Sequence, residues 1–211
     1  MSTKIAVLVS GGGTNLQALI DAQAKGQFGE GSITAVISSK PGAYALERAA
    51  NAGIAGYVIS RKSYATNQGM TVAVVQKLKE LQIDLVVLAG CMVIFTEELV
   101  QAYPNAIINV HPALIPSFCG AGYYGLRVHE EALRYGVKLT GATVHFVTEE
   151  CDGGPIISQA AVPVYPDDTP EILQRRVMEQ AEWKILPEAV ELFCKGRIQV
   201  YGRTVIIKRE D

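Results

Sequence analysis

Short, continuous apolar runs set the rhythm of this chain, rather than strict alternation of apolar and polar residues. Lys4–Val9 (KIAVLV), Ile33–Ser38 (ITAVIS), Gly56–Ile59, Asp84–Ala89 (DLVVLA), Ala106–Val110 (AIINV) and Thr140–Val147 (TGATVHFV) are mostly rich in β-branched residues. Runs of this kind predict central strands of a parallel sheet, covered on both faces. Helical spacing fills the intervals. Asn15–Lys25 carries Leu16, Leu19 and Ile20 at helical spacing, and Ala43–Ala52, Met70–Leu81 and Thr96–Tyr103 follow the next three strands. Gly53 is placed to cap the end of the second helix, Thr96 to cap the start of the fourth, and Pro104 to stop it. The alternation β-α-β-α-β-α-β-α-β predicts an α/β fold: a single doubly wound, mostly parallel sheet with helices on both faces and right-handed crossovers.

The texture changes after Val110. Residues 111–127 hold Pro112, Pro116 and three glycines with no clear period, so they read as a long loop. Loops of that length in compact domains are often functional. A helix follows at Val128–Tyr135, then the Thr140–Val147 strand, a Cys151-Asp-Gly-Gly-Pro155 turn and a strand over Ile156–Val164. Thr169-Pro170 opens a last helix running toward Cys194, bent at Pro187 and ended before Gly196. Gln199–Ile207 reads as a hairpin turning at Tyr201-Gly202. No repeat, low-complexity tract or linker interrupts the chain, so residues 1–211 read as one domain with halves meeting near residues 105 and 106.

Composition narrows the function classes. Hydrophobic residues make up 49% and charged residues 19% of the 211, an ordinary globular mix. The net charge of −2 supplies no basic field for nucleic acid, so an anionic ligand must be caught locally. The four cysteines form no C-x-x-C pair, which argues against a zinc knuckle. The start, Met1–Ile5, lacks the features of a signal peptide, and no apolar stretch is long enough to span a membrane. The expectation is a cytoplasmic protein whose cysteines are reduced, buried small hydrophobes.

Lys4–Val9 runs into Ser10-Gly11-Gly12-Gly13-Thr14-Asn15 and then a helix. Strand, glycine turn, helix is the layout of a phosphate site: glycines admit the anion, and the first helical N–H groups favour its charge. Thr14 and Asn15 add side-chain donors. A plain tight turn shares the pattern. A dinucleotide fingerprint needs glycine where Leu16 stands and an acidic end to the second strand, which instead ends Ser38-Ser39-Lys40. No Gly-Lys-Ser/Thr occurs either, so a small phosphomonoester fits better than a dinucleotide or nucleoside triphosphate.

Asn109 and His111, two apart on a strand, point the same way at the edge where parallel sheets bind ligands. An amide donor beside an imidazole suits polarising a carbonyl and moving a proton. A single histidine is often structural, and Asp152 before two glycines is by default a turn former. If Asp152 faces His111, the trio becomes amide, imidazole and carboxylate, the last holding the charged imidazolium. No framed Ser or Cys nucleophile accompanies them, which favours direct transfer between two bound substrates.

The blocks AVLVSGGGTNLQALIDA, DLVVLAGCM, IINVHPALIPSF and GATVHFVTEECDGGPII, in this order, closely resemble the folate-dependent formyltransferase family, and within it the phosphoribosylglycinamide formyltransferases. The resemblance runs from Lys4 to about Arg197. It implies a Rossmann-like formyltransferase fold, with a phosphate-binding first half and a folate-binding, catalytic second half. It also implies 10-formyltetrahydrofolate as co-substrate, no metal, small-molecule partners, no nucleic acid or membrane, and a monomer or homodimer. The reaction implied is formyl transfer to the amine of 5-phosphoribosylglycinamide in purine biosynthesis, by direct attack through a tetrahedral oxyanion.

By the same resemblance, Asn109 donates to the oxyanion, protonated His111 stabilises it, and Asp152 maintains that charge and helps remove the amine proton. Gly12, Gly13, Thr14 and Asn15 match the phosphate site, and Glu182 matches a glutamate that binds ribose hydroxyls; as a bare sequence feature it is an ordinary helix charge. Met92, Val93, Ile94, Phe95, Asn109, Val147, Thr148, Glu149, Glu150 and Asp152 match the folate pocket, with Thr143 and His145 as supports. The chain departs from the family at Val93 and Asn67, where arginines are usual, and its 117–127 loop is longer than in many relatives. Arg127 is a candidate replacement charge. Methionyl-tRNA formyltransferases and formyltetrahydrofolate hydrolases share the Asn-His-Asp core. The first carry an added C-terminal RNA-binding domain and the second an added N-terminal domain, and this length and charge favour the small-molecule transferase. A nucleotide-dependent oxidoreductase or a catalytically silent phosphate-binding module stand as readings from other classes.

Overall fold

The structure, a computed structural model, describes residues 2–209. Seven strands form one sheet in the order β3-β2-β1-β4-β5-β6-β7. They are β1 (Lys4–Val9), β2 (Ser32–Ser38), β3 (Ala55–Val58), β4 (Leu85–Leu88), β5 (Ile107–His111), β6 (Leu139–Phe146) and β7 (Ile156–Pro163). The first five are parallel; β6 runs antiparallel to both its neighbours. Helices α1 (Thr14–Ala24), α2 (Tyr44–Asn51), α3 (Asn67–Glu80), α4 (Glu97–Ala102), α5 (Leu126–Tyr135), α6 (Pro170–Val177) and α7 (Trp183–Cys194) link or cover the strands.

The continuous apolar runs are explained by burial on both faces. Along β1, Ile5, Val7 and Val9 enter one core while Ala6 and Leu8 enter another. The first is closed by α1, α6 and α7 through Leu16, Leu19, Leu173, Val177, Leu186 and Val190, and the second by α3 and α4 through Met70, Val74, Leu78 and Leu99. Strand order reverses between β1 and β4, so the turns after these two strands splay apart at the sheet's C-terminal edge and leave a crevice there.

Local signals mostly hold. Gly53 (φ 70°) ends α2 with its N–H on Ala50 and that of Ile54 on Ala49, the paired bonds of a Schellman cap. Thr169 caps α6 by accepting from the Ile172 N–H at 3.3 Å, with Pro170 at the first helical position. Thr96 sits at the α4 cap position, but its hydroxyl turns to the Glu98 carboxylate instead of the helix backbone. The one long helix expected from Thr169 toward Cys194 is two, α6 and α7. Pro187 lies within α7, whereas the helical bonding changes at Met178–Glu182, a π turn between α6 and α7. The final hairpin, β8 (Ile198–Tyr201) and β9 (Thr204–Ile207), turns at Gly202-Arg203, one residue later than expected. Gly202, with φ 58°, takes the first central position, as a type II′ turn requires. The cysteines are less buried than expected: Cys151 is exposed and Cys91, Cys119 and Cys194 are partly so, all unpaired.

Candidate active site

The glycine turn after β1 and the segment after β4 form two walls of a cleft of about 770 Å³ at the reversal of strand order. At one end stand Gly11, Gly12, Gly13, Thr14 and Asn15. Gly13 has φ 72°, and a Cβ there would sit 2.7 Å from the Cβ of Ala45, so only glycine lets the turn lie against α2. Arg48 on α2 steadies the turn, its Nε donating to the Gly12 carbonyl at 2.8 Å. The first turn of α1 opens into the cleft, where N–H groups without helical partners face any bound anion.

Glu182 reaches the same end from the π turn, 167 residues away in sequence, and is 5% exposed. The Asn15 Nδ2 donates to its Oε2 at 2.7 Å, while the Asn15 Oδ1 is buried without a partner. Burial pushes the Glu182 carboxyl up to about 7, against the lowering effect of Asn15. Its burial and its bond to Asn15 set aside the reading of Glu182, which ends the π turn, as an ordinary solvated helix charge.

At the other end β5 and β6 pair so that Asn109 faces His145 and His111 faces Thr143. The Asn109 Nδ2 lies 3.1 Å from His145 Nε2, and His145 Nδ1 lies 2.9 Å from the Phe146 carbonyl. A carbonyl only accepts, so Nδ1 carries the hydrogen and Nε2 accepts from Asn109. One Asn109 N–H is thereby spent and the other is available to the cleft. Asp152, at φ 54°, places Oδ2 3.5 Å from His111 Nδ1 and Oδ1 3.6 Å from His145 Nε2. The Gly120 N–H donates to Asp152 Oδ2 at 2.8 Å, and His111 Nε2 donates to the Phe118 carbonyl at 2.8 Å. Thr143, fully buried, donates to the Ala113 carbonyl at 2.7 Å and accepts from Ile115 N–H at 3.0 Å, fixing the chain just past His111.

Charges follow from this packing. Burial would raise the Asp152 carboxyl, but His145, His111 and the Gly120 N–H together hold it below 3.8. Burial lowers His111 below 6.5, and Asp152 and the Phe118 carbonyl only partly counter it. In the free protein burial therefore favours the neutral form of His111 at neutral pH, where the imidazolium was expected. With Nε2–H held by Phe118, its Nδ1 is a vacant proton acceptor facing a carboxylate.

Met92, Val93, Ile94, Phe95, Val147, Thr148, Glu149 and Glu150 all line the cleft. Val93, Phe95 and Val147 pack on the core, whereas Met92 and Ile94 are 49% and 66% exposed on the rim. This wall is tied to the glycine turn: Met92 N–H donates to Ser10 Oγ at 2.8 Å, and Ser10 Oγ lies 2.7 Å from Ser39 Oγ. Asn67 starts α3 and bonds Arg61. Arg127 is exposed on α5, and a Cβ on Gly122, which lines the cleft, would lie 4.0 Å from its Nη1. Sequence reasoning missed the Gly120 N–H, the Phe118 carbonyl, Ser10 and His129. The first two are backbone groups without a side-chain signal, and Ser10 is a small polar residue that any glycine turn tolerates. His129 lies fully buried on α5 with neither ring nitrogen partnered, and burial, aided by His111, lowers it to about 4.

Among the described residues no group of three or more His, Cys, Asp or Glu is placed to hold a metal ion, and no helix is long and apolar enough to cross a membrane. Residues 3–190 match the model of the formyl transferase family. A phosphoribosylglycinamide formyltransferase of Haemophilus influenzae is 43% identical over 197 residues, 93% of this chain and 90% of that protein. The trifunctional purine biosynthetic protein adenosine-3 of Gallus gallus is 44% identical over 198 residues, 93% of this chain but 19% of its own length. The structure of glycinamide ribonucleotide transformylase 1 from Symbiobacterium toebii superposes with a TM-score of 0.92 at 43% identity, covering 98% of this chain and 94% of that one. A parallel sheet with its cleft at the strand-order reversal, an asparagine, histidine and aspartate at one end and a glycine turn at the other thus coincide with a match over most of the sequence: the chain belongs to the formyl transferase family.

Proposed function

We propose that this protein transfers the formyl group of 10-formyltetrahydrofolate to the amine of 5-phosphoribosylglycinamide in purine biosynthesis, acting on small molecules in the cytoplasm. The observation that carries the reading is one continuous cleft with an anion cradle at Gly12–Asn15 and the Asn109, His111 and Asp152 side chains at its far end. The cradle belongs to the first half of the chain; the reacting groups and Glu182 belong to the second. Gly12, Gly13, Thr14 and Asn15 hold the phosphate, and Glu182 with the free Asn15 Oδ1 takes the ribose hydroxyls. Phe95, Val93 and Val147 supply an apolar wall for a flat folate ring, with Met92, Ile94, Thr148, Glu149 and Glu150 along its rim.

Attack of the substrate amine on the formyl carbon pushes electrons onto the formyl oxygen and leaves the nitrogen positively charged. The second N–H of Asn109 donates to the oxyanion, with His145 fixing the amide's orientation. His111 Nδ1 accepts the amine proton, directly or through water. The new imidazolium is then fully partnered, by Asp152 at Nδ1 and Phe118 at Nε2, and its charge lies beside the oxyanion. Collapse breaks the bond to the folate nitrogen, which takes the proton from the His111 imidazolium as it departs, giving tetrahydrofolate and restoring neutral His111. The test is to mix the protein with both substrates and follow tetrahydrofolate-type product by absorbance. Product formed without phosphoribosylglycinamide identifies a hydrolase, and no product under either condition overturns the proposal.

A further inference from the structure

The turn that carries Asp152 is gripped from three sides, and one grip comes from outside residues 3–190 matched by the family. Gly154 lies flush on the Phe146 carbonyl, so that a Cβ there would enter it, and the Glu150 carboxylate covers Gly153 in the same way. The third grip is Arg203 at the tip of the C-terminal hairpin. Its Nη1 donates to the Gly153 carbonyl at 2.8 Å and lies 3.9 Å from Glu150 Oε2. Asp152 between these contacts has φ 54°, a left-handed conformation that a non-glycine residue keeps where its surroundings hold it.

The hairpin is itself anchored. Ile198, Val200 and Val205 pack against the main core, and the Lys208 N–H donates to the Arg197 carbonyl at 2.9 Å, closing the base. The two-residue turn at Gly202-Arg203 then projects the guanidinium from a fixed stem. A guanidinium on a carbonyl is a charge-assisted bond, among the stronger kinds a surface turn can make.

We infer that Arg203 is a positioning residue: through the Gly153 carbonyl it holds the 150–153 turn so that the Asp152 carboxylate stays against His111. This goes beyond the proposed reaction, and only its kinetic consequence rests on that reading. His111 faces Asp152, His145 and His129, and Asp152 is the carboxylate that raises its proton affinity. Loosening the turn weakens that support, so the His111 midpoint falls.

The test uses Arg203→Met, which keeps the aliphatic stem and loses every donor, and Arg203→Lys, which restores one. Imidazole NMR of the full chain without substrates reads the His111 midpoint. It moves down in Arg203→Met and returns toward the parent value in Arg203→Lys, with thermal midpoints alike. In the formyl transfer assay kcat of Arg203→Met falls roughly 2- to 10-fold, the worth of one such bond, while KM for the amine substrate is unchanged. An unmoved His111 midpoint, or a kinetic loss confined to KM, overturns the inference. If the parent protein transfers no formyl group, the proposed reaction fails and the NMR titration alone decides Arg203.

Discussion

The Asn15 amide donates to the Glu182 carboxylate at 2.7 Å, joining the first turn of α1 to the π turn before α7. The bond closes the glycine-turn end of the cleft and leaves a buried carboxyl pushed up to about 7.

Folding therefore takes up a proton at Glu182 between its ordinary 4.5 and about 7. Stability from this group is complete below 4.5 and is lost as pH rises through 7, by up to about 3 kcal/mol. Glu182→Gln is nearly isosteric and cannot ionise. Its melting temperature relative to the parent rises from pH 5 to pH 8, and a constant difference across that range would sink the assignment. KM for phosphoribosylglycinamide rises in the same variant while that for the folate holds.

The three groups at the far end predict a steeper loss. Asn109→Ala removes an oxyanion donor, worth about 10²–10³ in kcat, and His111→Ala and Asp152→Ala each remove a proton-transfer partner, worth about 10²–10⁴. Each variant keeps its circular dichroism spectrum. Near-parental kcat in Asp152→Ala would take it out of the mechanism.

Because burial lowers His111 below 6.5, kcat/KM falls on the acid side with a midpoint under that value. Asp152→Asn shifts the midpoint further down, since the carboxylate is what raises the imidazole's affinity for a proton. A pH–rate profile on both proteins checks it, and an upward shift contradicts the pairing.

His129 acts on stability in the opposite sense to Glu182. Its imidazole has 6.5 when unfolded and about 4 when folded, so the unfolded chain binds more protons in that window. Stability is full above 6.5 and drops by up to about 3 kcal/mol as pH falls to 4. His129→Leu removes the effect along with two unpartnered buried nitrogens. Denaturant unfolding at pH 7 and pH 4.5 should give a smaller acid loss for the variant; an equal loss excludes His129 as the cause.

Gly154→Ala drives a methyl into the Phe146 carbonyl and must displace the turn bearing Asp152. It lowers both the melting temperature and kcat, whereas alanine at Gly11, where nothing lies within 4 Å, leaves the fold intact. Equal melting temperatures for the two variants would contradict the contact.

Much of this molecule was legible along the chain. The β-branched runs name the strands of the parallel sheet because a strand covered on both faces must be apolar at every position. Gly13 and the polar pair at Asn109 and His111 are visible because a phosphate turn and a strand end each need particular residue types at short range. Tertiary structure decided the rest. The strand reversal after β5 put His145 beside Asn109, and the turn after β6 brought Asp152 to His111. Packing against Asn15 buried Glu182, which as a bare sequence feature is an ordinary helix charge. Burial favoured the neutral form of His111, and a hairpin tip set Arg203 on the Asp152 turn. None of these is encoded at helical or strand spacing, since each depends on which groups distant segments bring together and how much water they exclude.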